Sequence, residues 1–193
     1  MARPRCFDEH QALRSALEVF WAKGYNAASM TDLLDATRLS KSSLYASFGS
    51  KQALVVEAIR CYAGQLMRGP LAALGRPDAG RAEIEEALRA TVAVARTEAG
   101  QRGCFINNCL TEIAPHDAEV MAAASAAIEQ LEAALLAAVR RGQQQSAITV
   151  SEPPEALARF LVNTLAGLNL AAKSKPGPER LDDIVRVALR ALD

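Results

Sequence analysis

Between residues 29 and 54 the chain carries four helix-boundary signals, spaced too closely for any long helix or strand. Ser29 is followed three residues later by Asp32, the spacing of a reciprocal N-terminal cap. Ser40 stands ahead of Lys-Ser-Ser-Leu-Tyr-Ala-Ser-Phe, Gly49 stands behind it, and Ser50 opens another segment. This punctuation predicts a short helix over about 30–36, a second over about 41–47, and a third helix starting after Ser50. In the third, Leu54, Val55, Ala58, Ile59, Tyr62 and Leu66 recur at helical spacing.

Ahead of this region, Leu13, Ala16, Leu17, Phe20 and Trp21 share one face of a helix over 8–23, with Asp8 as cap, Gln11 as its partner and Gly24 as stop. Pro70, Gly75 and Pro77 mark a break between residues 69 and 80. Beyond it, helices are expected over about 78–99, 104–112, 115–144, 153–173 and 181–192. Residues 147–150 are read as a loop, and no strand is expected. The fold class is therefore all-α: an N-terminal three-helix helix-turn-helix domain plus a C-terminal helical bundle, about nine helices in all. The expected division is 1–50 for the first domain, linked by a helix over 51–68, and 51–193 for the second.

Composition supports close-packed helices. Half of the 193 residues are hydrophobic, while aromatic residues make up only 5%. The net charge is zero, but it is unevenly spread. Residues 1–68 hold nine Lys and Arg against six Asp and Glu; residues 69–193 hold thirteen against sixteen. A basic front hints at nucleic acid. The start of the chain lacks the apolar segment of a secretory signal. The apolar run 160–172 is broken by Asn163, Thr164 and Asn169, so no membrane span is expected and a cytoplasmic protein is. The four cysteines form no CxxC pair, no metal or cofactor is expected, and reduced thiols are the default. With only His10 and His116, no glycine-rich phosphate loop and no HExxH, an enzyme is not expected.

Two short helices joined by a tight turn and packed on a longer one outline a helix-turn-helix, whose second helix enters the major groove. That helix needs two unlike faces. Leu39, Leu44 and Phe48 anchor it, which leaves Lys41, Ser42, Tyr45 and Ala46 pointing away. A cation beside short or hydrogen-bonding side chains suits base edges and phosphates. Lys51 sits in the first turn of the next helix, where the dipole favours an anion, so a docked phosphate would account for it.

The ordered set Ala16-Leu17-x-x-Phe20, Gly24-Tyr25, Ser29-Met30-x-Asp32-Leu33, Leu39-Ser40-Lys41-Ser42-Ser43-Leu44-Tyr45-x-x-Phe48-Gly49-x-Lys51 and Leu54 resembles the DNA-binding domain of the tetracycline-repressor (TetR) family of bacterial transcription regulators. The match covers residues 8–62. Arg3-Pro4-Arg5-x-Phe7-Asp8, Phe20-Trp21 and Arg102-Gly103-Cys104 with Asn107 resemble one subgroup.

The resemblance implies a homodimeric repressor that reads a palindromic double-stranded DNA operator and is released by an unidentified small-molecule effector. It assigns base or nearby backbone contacts to Lys41, Ser42 and Tyr45, and phosphate contacts to Ser43, Ser47 and Lys51. Ser29 caps the helix at the DNA surface, Thr31 faces the groove, and Arg3 and Arg5 form an arm into the minor groove. The family commonly has glycine where this chain has Arg38, at a turn position that often needs positive φ. A non-glycine residue there carries a strain of about 1–2 kcal/mol, or the turn differs.

In the second domain, Leu157, Phe160, Leu161, Leu165 and Leu168 line one helix, and Leu181, Ile184, Val185, Ala188, Leu189 and Leu192 line the next. These stripes fill the monomer core or, as the resemblance implies, form a four-helix dimer interface through Phe160, Leu161, Leu165, Leu168, Ile184, Val185 and Leu189. Candidate effector-pocket residues are Tyr62, Met67, Phe105, Asn108, Glu112 and Met121, with Asn107 beside them; the asparagines serve equally well as partners for a helix end. A helical dimerising protein that senses metal or redox state through Cys104 and Cys109 is the alternative reading, though the spacing of Cys104, Cys109 and His116 matches no standard site.

Overall fold

The computed structural model describes residues 8–193. The expected arm residues Arg3 and Arg5 lie outside them. Among the described residues there are nine α-helices and no strand: α1 (Glu9–Lys23), α2 (Met30–Thr37), α3 (Lys41–Phe48), α4 (Lys51–Arg68), α5 (Arg81–Ala95), α6 (Phe105–Glu112), α7 (Ala118–Gln144), α8 (Pro154–Ala172) and α9 (Pro178–Arg190). Three short 3-10 turns, Ala72–Gly75, Gly100–Arg102 and Ala114–His116, join them.

The capping signals act as their chemistry demands. Asp8 Oδ1 accepts from the backbone N–H groups of His10 and Gln11 at 2.9 and 3.2 Å. Ser29 and Asp32 form the reciprocal box: Ser29 Oγ accepts from Asp32 N–H at 3.1 Å, and Asp32 Oδ2 accepts from Ser29 N–H at 2.9 Å. Ser40 and Ser50 cap α3 and α4 by accepting from Ser43 and Ala53. Arg38 ends α2 at φ 57°, ψ 29°, so the turn keeps its left-handed residue and tolerates the strain.

Several boundaries differ from expectation; α9, expected from 181, starts at Pro178, a residue suited to the first turn of a helix. Pro115 belongs to a 3-10 turn, and Asp117 starts α7 by accepting from Glu119 and Val120 N–H. Residue 78 precedes α5, because the Glu83 carboxylate returns to Gly80 N–H at 2.8 Å and fixes the helix start there. The far end of α5 stops at Ala95, where the chain folds sharply: Thr97 Oγ donates to Val94 C=O and accepts from Gly100 N–H.

Two hydrophobic clusters hold the fold. The first joins α1–α4 to α6 and the start of α7 through Leu17, Phe20, Leu33, Leu44, Leu54, Ile59 and Phe105. It therefore reaches across residue 50. The second joins α5, α7, α8 and α9. Leu66, near the end of α4, packs against both. Helix α7, whose apolar character is mostly alanine, includes a window long and apolar enough by composition to cross a membrane. It packs against α4, α5, α6 and α8.

Most of the expected dimer residues face the core of the single chain. Leu161, Leu165, Leu168 and Val185 are buried inside the second cluster, and Ile184 and Leu189 are partly buried against it. Of the seven, Phe160 alone is well exposed, at 41%. The apolar stripe of α8 is wider than one face, and α5 and α7 take its inner half. The outer side runs Phe160, Asn163, Gly167 and Leu170 and is apolar at its two ends; Leu170 is 70% exposed, and Val187 on α9 is 56% exposed.

Gly100 offers a test of the α5 turn. A methyl group on it would collide with the Val94 carbonyl and the Ala95 Cα, which are backbone and cannot swing away. Gly100→Ala should destabilise the protein by about 1–3 kcal/mol in urea unfolding, as overpacking does. An unchanged unfolding midpoint would contradict this geometry.

Candidate nucleic-acid interface

Helix α3 has the two faces its task requires. Leu44 is fully buried, while Leu39 and Phe48 pack partly buried on the same core. Lys41, Ser42, Tyr45 and Ala46 are exposed on the opposite side. Thr31 at the start of α2 and Arg38 in the turn are exposed as well. The surface thus carries two cations, two hydroxyls, a phenol and a methyl group, with the exposed Asp35 carboxylate one turn beyond Thr31 on α2. Ser40 Oγ lies 3.0 Å from Ser42 Oγ and 2.9 Å from Ser43 Oγ, which orders the hydroxyls at the helix start.

Ser29 is exposed but engaged: its Oγ donates to Asp32 Oδ2 at 2.8 Å. Asp32 also accepts from Lys23 Nζ at 2.5 Å. The Lys23 hydrogen bond, then those from Ser29, lower the Asp32 carboxyl to about 2. It stays ionised and keeps the cap intact.

Two expected phosphate contacts are placed differently. Ser47 Oγ is buried with no hydrogen-bond partner. The residue lies three after Leu44 and one before Phe48, so helical spacing turns it inward with them. Its hydroxyl is not available to a phosphate in this conformation. Lys51 Nζ donates to Tyr25 C=O at 2.6 Å and lies 4.4 Å from the centre of the Tyr25 ring. Burial lowers its pKa, with the Glu112 carboxylate opposing. Lys51 therefore ties α4 to the segment between α1 and α2.

A cavity of about 460 Å³ opens beside this unit. Tyr62 and Met67 line it as expected, and so does Asn107. Trp21 from α1 forms part of the wall. Tyr62 packs edge-on to Trp21 at 5.1 Å and to Phe105 at 5.8 Å. Burial pushes the Tyr62 phenol up, so it remains a neutral hydrogen-bonding group.

Four other expected pocket residues stand elsewhere. Phe105 is buried in the first cluster behind Tyr62. Asn108 is held at a helix end, donating to Arg102 C=O at 3.1 Å and accepting from Lys173 Nζ at 2.9 Å. Glu112 turns away and accepts from Tyr25 and Asn26 N–H. Met121 is exposed on α7. Spacing alone does not reveal Trp21 as a wall residue, because it reads equally well as core.

Cys104 and Cys109 are buried. Burial raises both thiols, Cys109 to about 12, which disfavours the reactive thiolate. Among the described residues no three His, Cys, Asp or Glu side chains are grouped to hold a metal.

The fold and this surface define a helix-turn-helix DNA-binding transcriptional regulator, not an enzyme. Residues 12–58 match the profile described as bacterial regulatory proteins of the tetR family, and residues 80–188 match the tetracyclin repressor-like C-terminal domain. The chain belongs to the TetR family.

It is 30% identical over 194 residues, all of both chains, to the uncharacterized HTH-type transcriptional regulator YezE of Bacillus subtilis. It is 29% identical to the HTH-type transcriptional repressor ComR of Escherichia coli, with 97% of this chain and 90% of that one covered. Among solved structures, a cysteine mutant of the TetR family regulator CifR, complexed with 26-base-pair double-strand operator DNA, shares 36% identity. It covers 99% of this chain and 100% of that one, with a TM-score of 0.84.

Lys41 and Ser47 should separate cleanly on a DNA duplex selected from random sequence. Lys41→Ala should weaken binding and reduce the salt slope by about 1, the loss of one phosphate contact. Ser47→Ala should leave affinity unchanged and be neutral or stabilising by up to about 1 kcal/mol, since it removes a buried unpaired hydroxyl. Loss of affinity on Ser47→Ala would contradict the inward placement.

Proposed function

We propose that this regulator is a homodimeric repressor that binds a palindromic operator and is released when a small, mostly apolar molecule fills the cavity. We place it in the cytoplasm, where bacterial DNA lies. The observation that carries release is Trp21: it belongs to α1 of the helix-turn-helix unit and also walls the cavity. A ligand in the cavity therefore lies against a helix of the DNA-reading unit. The wall is mainly apolar, with Tyr62, Thr91, Asn107, Asn163, Asn169 and the Glu132–Arg159 ion pair among its polar groups, a mixture that suits a small effector.

The reading of a homodimer rests on the outer stripe of α8 and α9. Phe160, Leu170 and Val187 are exposed large apolar side chains, and Gly167 between the first two faces open space. A Cβ-free position in such a stripe lets a second helix approach closely. Two-fold pairing through one patch also matches two half-sites of a palindrome.

Leu170→Arg tests the dimer. Sedimentation should show the wild type as a dimer and the variant as a monomer, with operator affinity falling at least about 100-fold as cooperative engagement of two half-sites is lost. A wild-type monomer that binds one operator at full affinity would overturn the proposal. For the effector, screening neutral apolar compounds against the operator complex should find one that dissociates it, and a bulky Leu110→Trp substitution in the cavity wall should abolish that response.

A further inference from the structure

The cavity and the DNA face are joined by contacts that the function just proposed does not itself require. Helix α6 contributes Ile106, Asn107 and Leu110 to the cavity wall. Two residues further on, its last residue, Glu112, leaves the cavity and reaches the segment between α1 and α2. Glu112 Oε2 accepts from Tyr25 N–H at 3.0 Å, and Oε1 accepts from Asn26 N–H at 2.8 Å. One carboxylate thus holds two consecutive backbone donors, a charge-assisted pairing stronger than two neutral bonds.

The same segment is held from α4, where Lys51 Nζ donates to Tyr25 C=O. Tyr25 is gripped through its N–H by α6 and through its C=O by α4. Gly24 completes the fit. Its φ is +82°, and a Cβ there would stand 2.9 Å from Glu112 Oε2, so the absent side chain is what lets the carboxylate in. Further along the same side of α1, Trp21 Nε1–H donates to Gly103 C=O at 2.9 Å, and Arg102 pairs with Glu18 at 2.8 Å.

We propose that Glu112 is the positioning residue that holds the helix-turn-helix unit in its DNA-reading orientation, and that cavity occupancy reaches the DNA through it. The second half rests on the reading of the cavity as an effector site; the first half does not. An eight-residue helix is a short, stiff lever. A ligand that displaces its cavity-facing side moves its end residue, and hydrogen bonds tolerate little displacement before they weaken. Releasing Tyr25 and Asn26 frees the end of α1 and the start of α2 together.

Glu112→Gln keeps the shape but replaces one accepting oxygen with an NH₂ group, which cannot accept. Glu112→Asp shortens the reach. Both should lower affinity for a duplex selected from random DNA by about tenfold, a typical coupling magnitude. Both should also raise hydrogen exchange at the Tyr25 and Asn26 amides while the amides of α3 stay protected. Unchanged exchange at Tyr25 and Asn26, or unchanged affinity, would overturn the proposal. So would global unfolding of both variants at room temperature, which would make Glu112 a requirement of the fold.

A second arm uses the neutral apolar dye N-phenyl-1-naphthylamine. In the wild type, dye binding should lower DNA affinity and raise exchange at Tyr25 and Asn26. In Glu112→Gln the dye should bind equally well and change DNA affinity by less than about twofold. A dye that fills the wild-type cavity without altering DNA binding would sink the effector reading, while the dye-free comparison still decides the positioning role.

Discussion

Two helices of eight residues each make up the helix-turn-helix, and a helix of that length does not hold in water alone. Everything else in the front of the molecule answers this constraint. Caps at Ser29, Ser40 and Ser50 satisfy the free N–H groups at the helix starts. Leu33 and Leu44 are each fully buried, so each short helix has one side chain fixed in a core built mainly by α1 and α4. That core costs the surface nothing. Because α3 is anchored through Leu39, Leu44 and Phe48, its other side is free to carry Lys41, Ser42, Tyr45 and Ala46.

The core that steadies the helix-turn-helix also belongs to the C-terminal half of the chain. Phe105, Ile106 and Cys109 of α6 are buried in the same cluster as Phe20 and Leu54, and Leu66 touches both clusters. Reading unit and cavity are therefore mechanically continuous. Polar contacts then fix the geometry: Trp21 to Gly103, Glu18 to Arg102, and Lys51 and Glu112 to the segment between α1 and α2. Burial supplies the attraction, and these directional bonds supply the orientation.

Local chemistry made most of the fold legible in the sequence. A serine three residues before its partner acts over one turn, and the caps of α1 to α4 stand where spacing puts them. Arg38 likewise sits at the left-handed position where a turn glycine was expected. Contacts between distant segments were not legible. Glu112 and Asn108 look like pocket residues in a linear reading, because nothing local shows that their partners lie 86 and 65 residues away, at Asn26 and Lys173. Ser47 looks exposed until the helical position it shares with Leu44 and Phe48 is weighed against its polarity. The stripes on α8 and α9 are wide enough for two partners, and spacing alone cannot tell which half meets the monomer core.

The outer face of α3, proposed as the surface that reads DNA, is open to a direct test. Titrating the labelled protein with a duplex selected from random DNA, and following backbone amide chemical shifts, tests it most directly. The largest changes should fall on Lys41, Ser42, Tyr45 and Ala46, with Thr31 and Arg38 beside them and the amides of α8 and α9 little affected. Changes centred on another surface, with α3 undisturbed at saturation, would contradict the account.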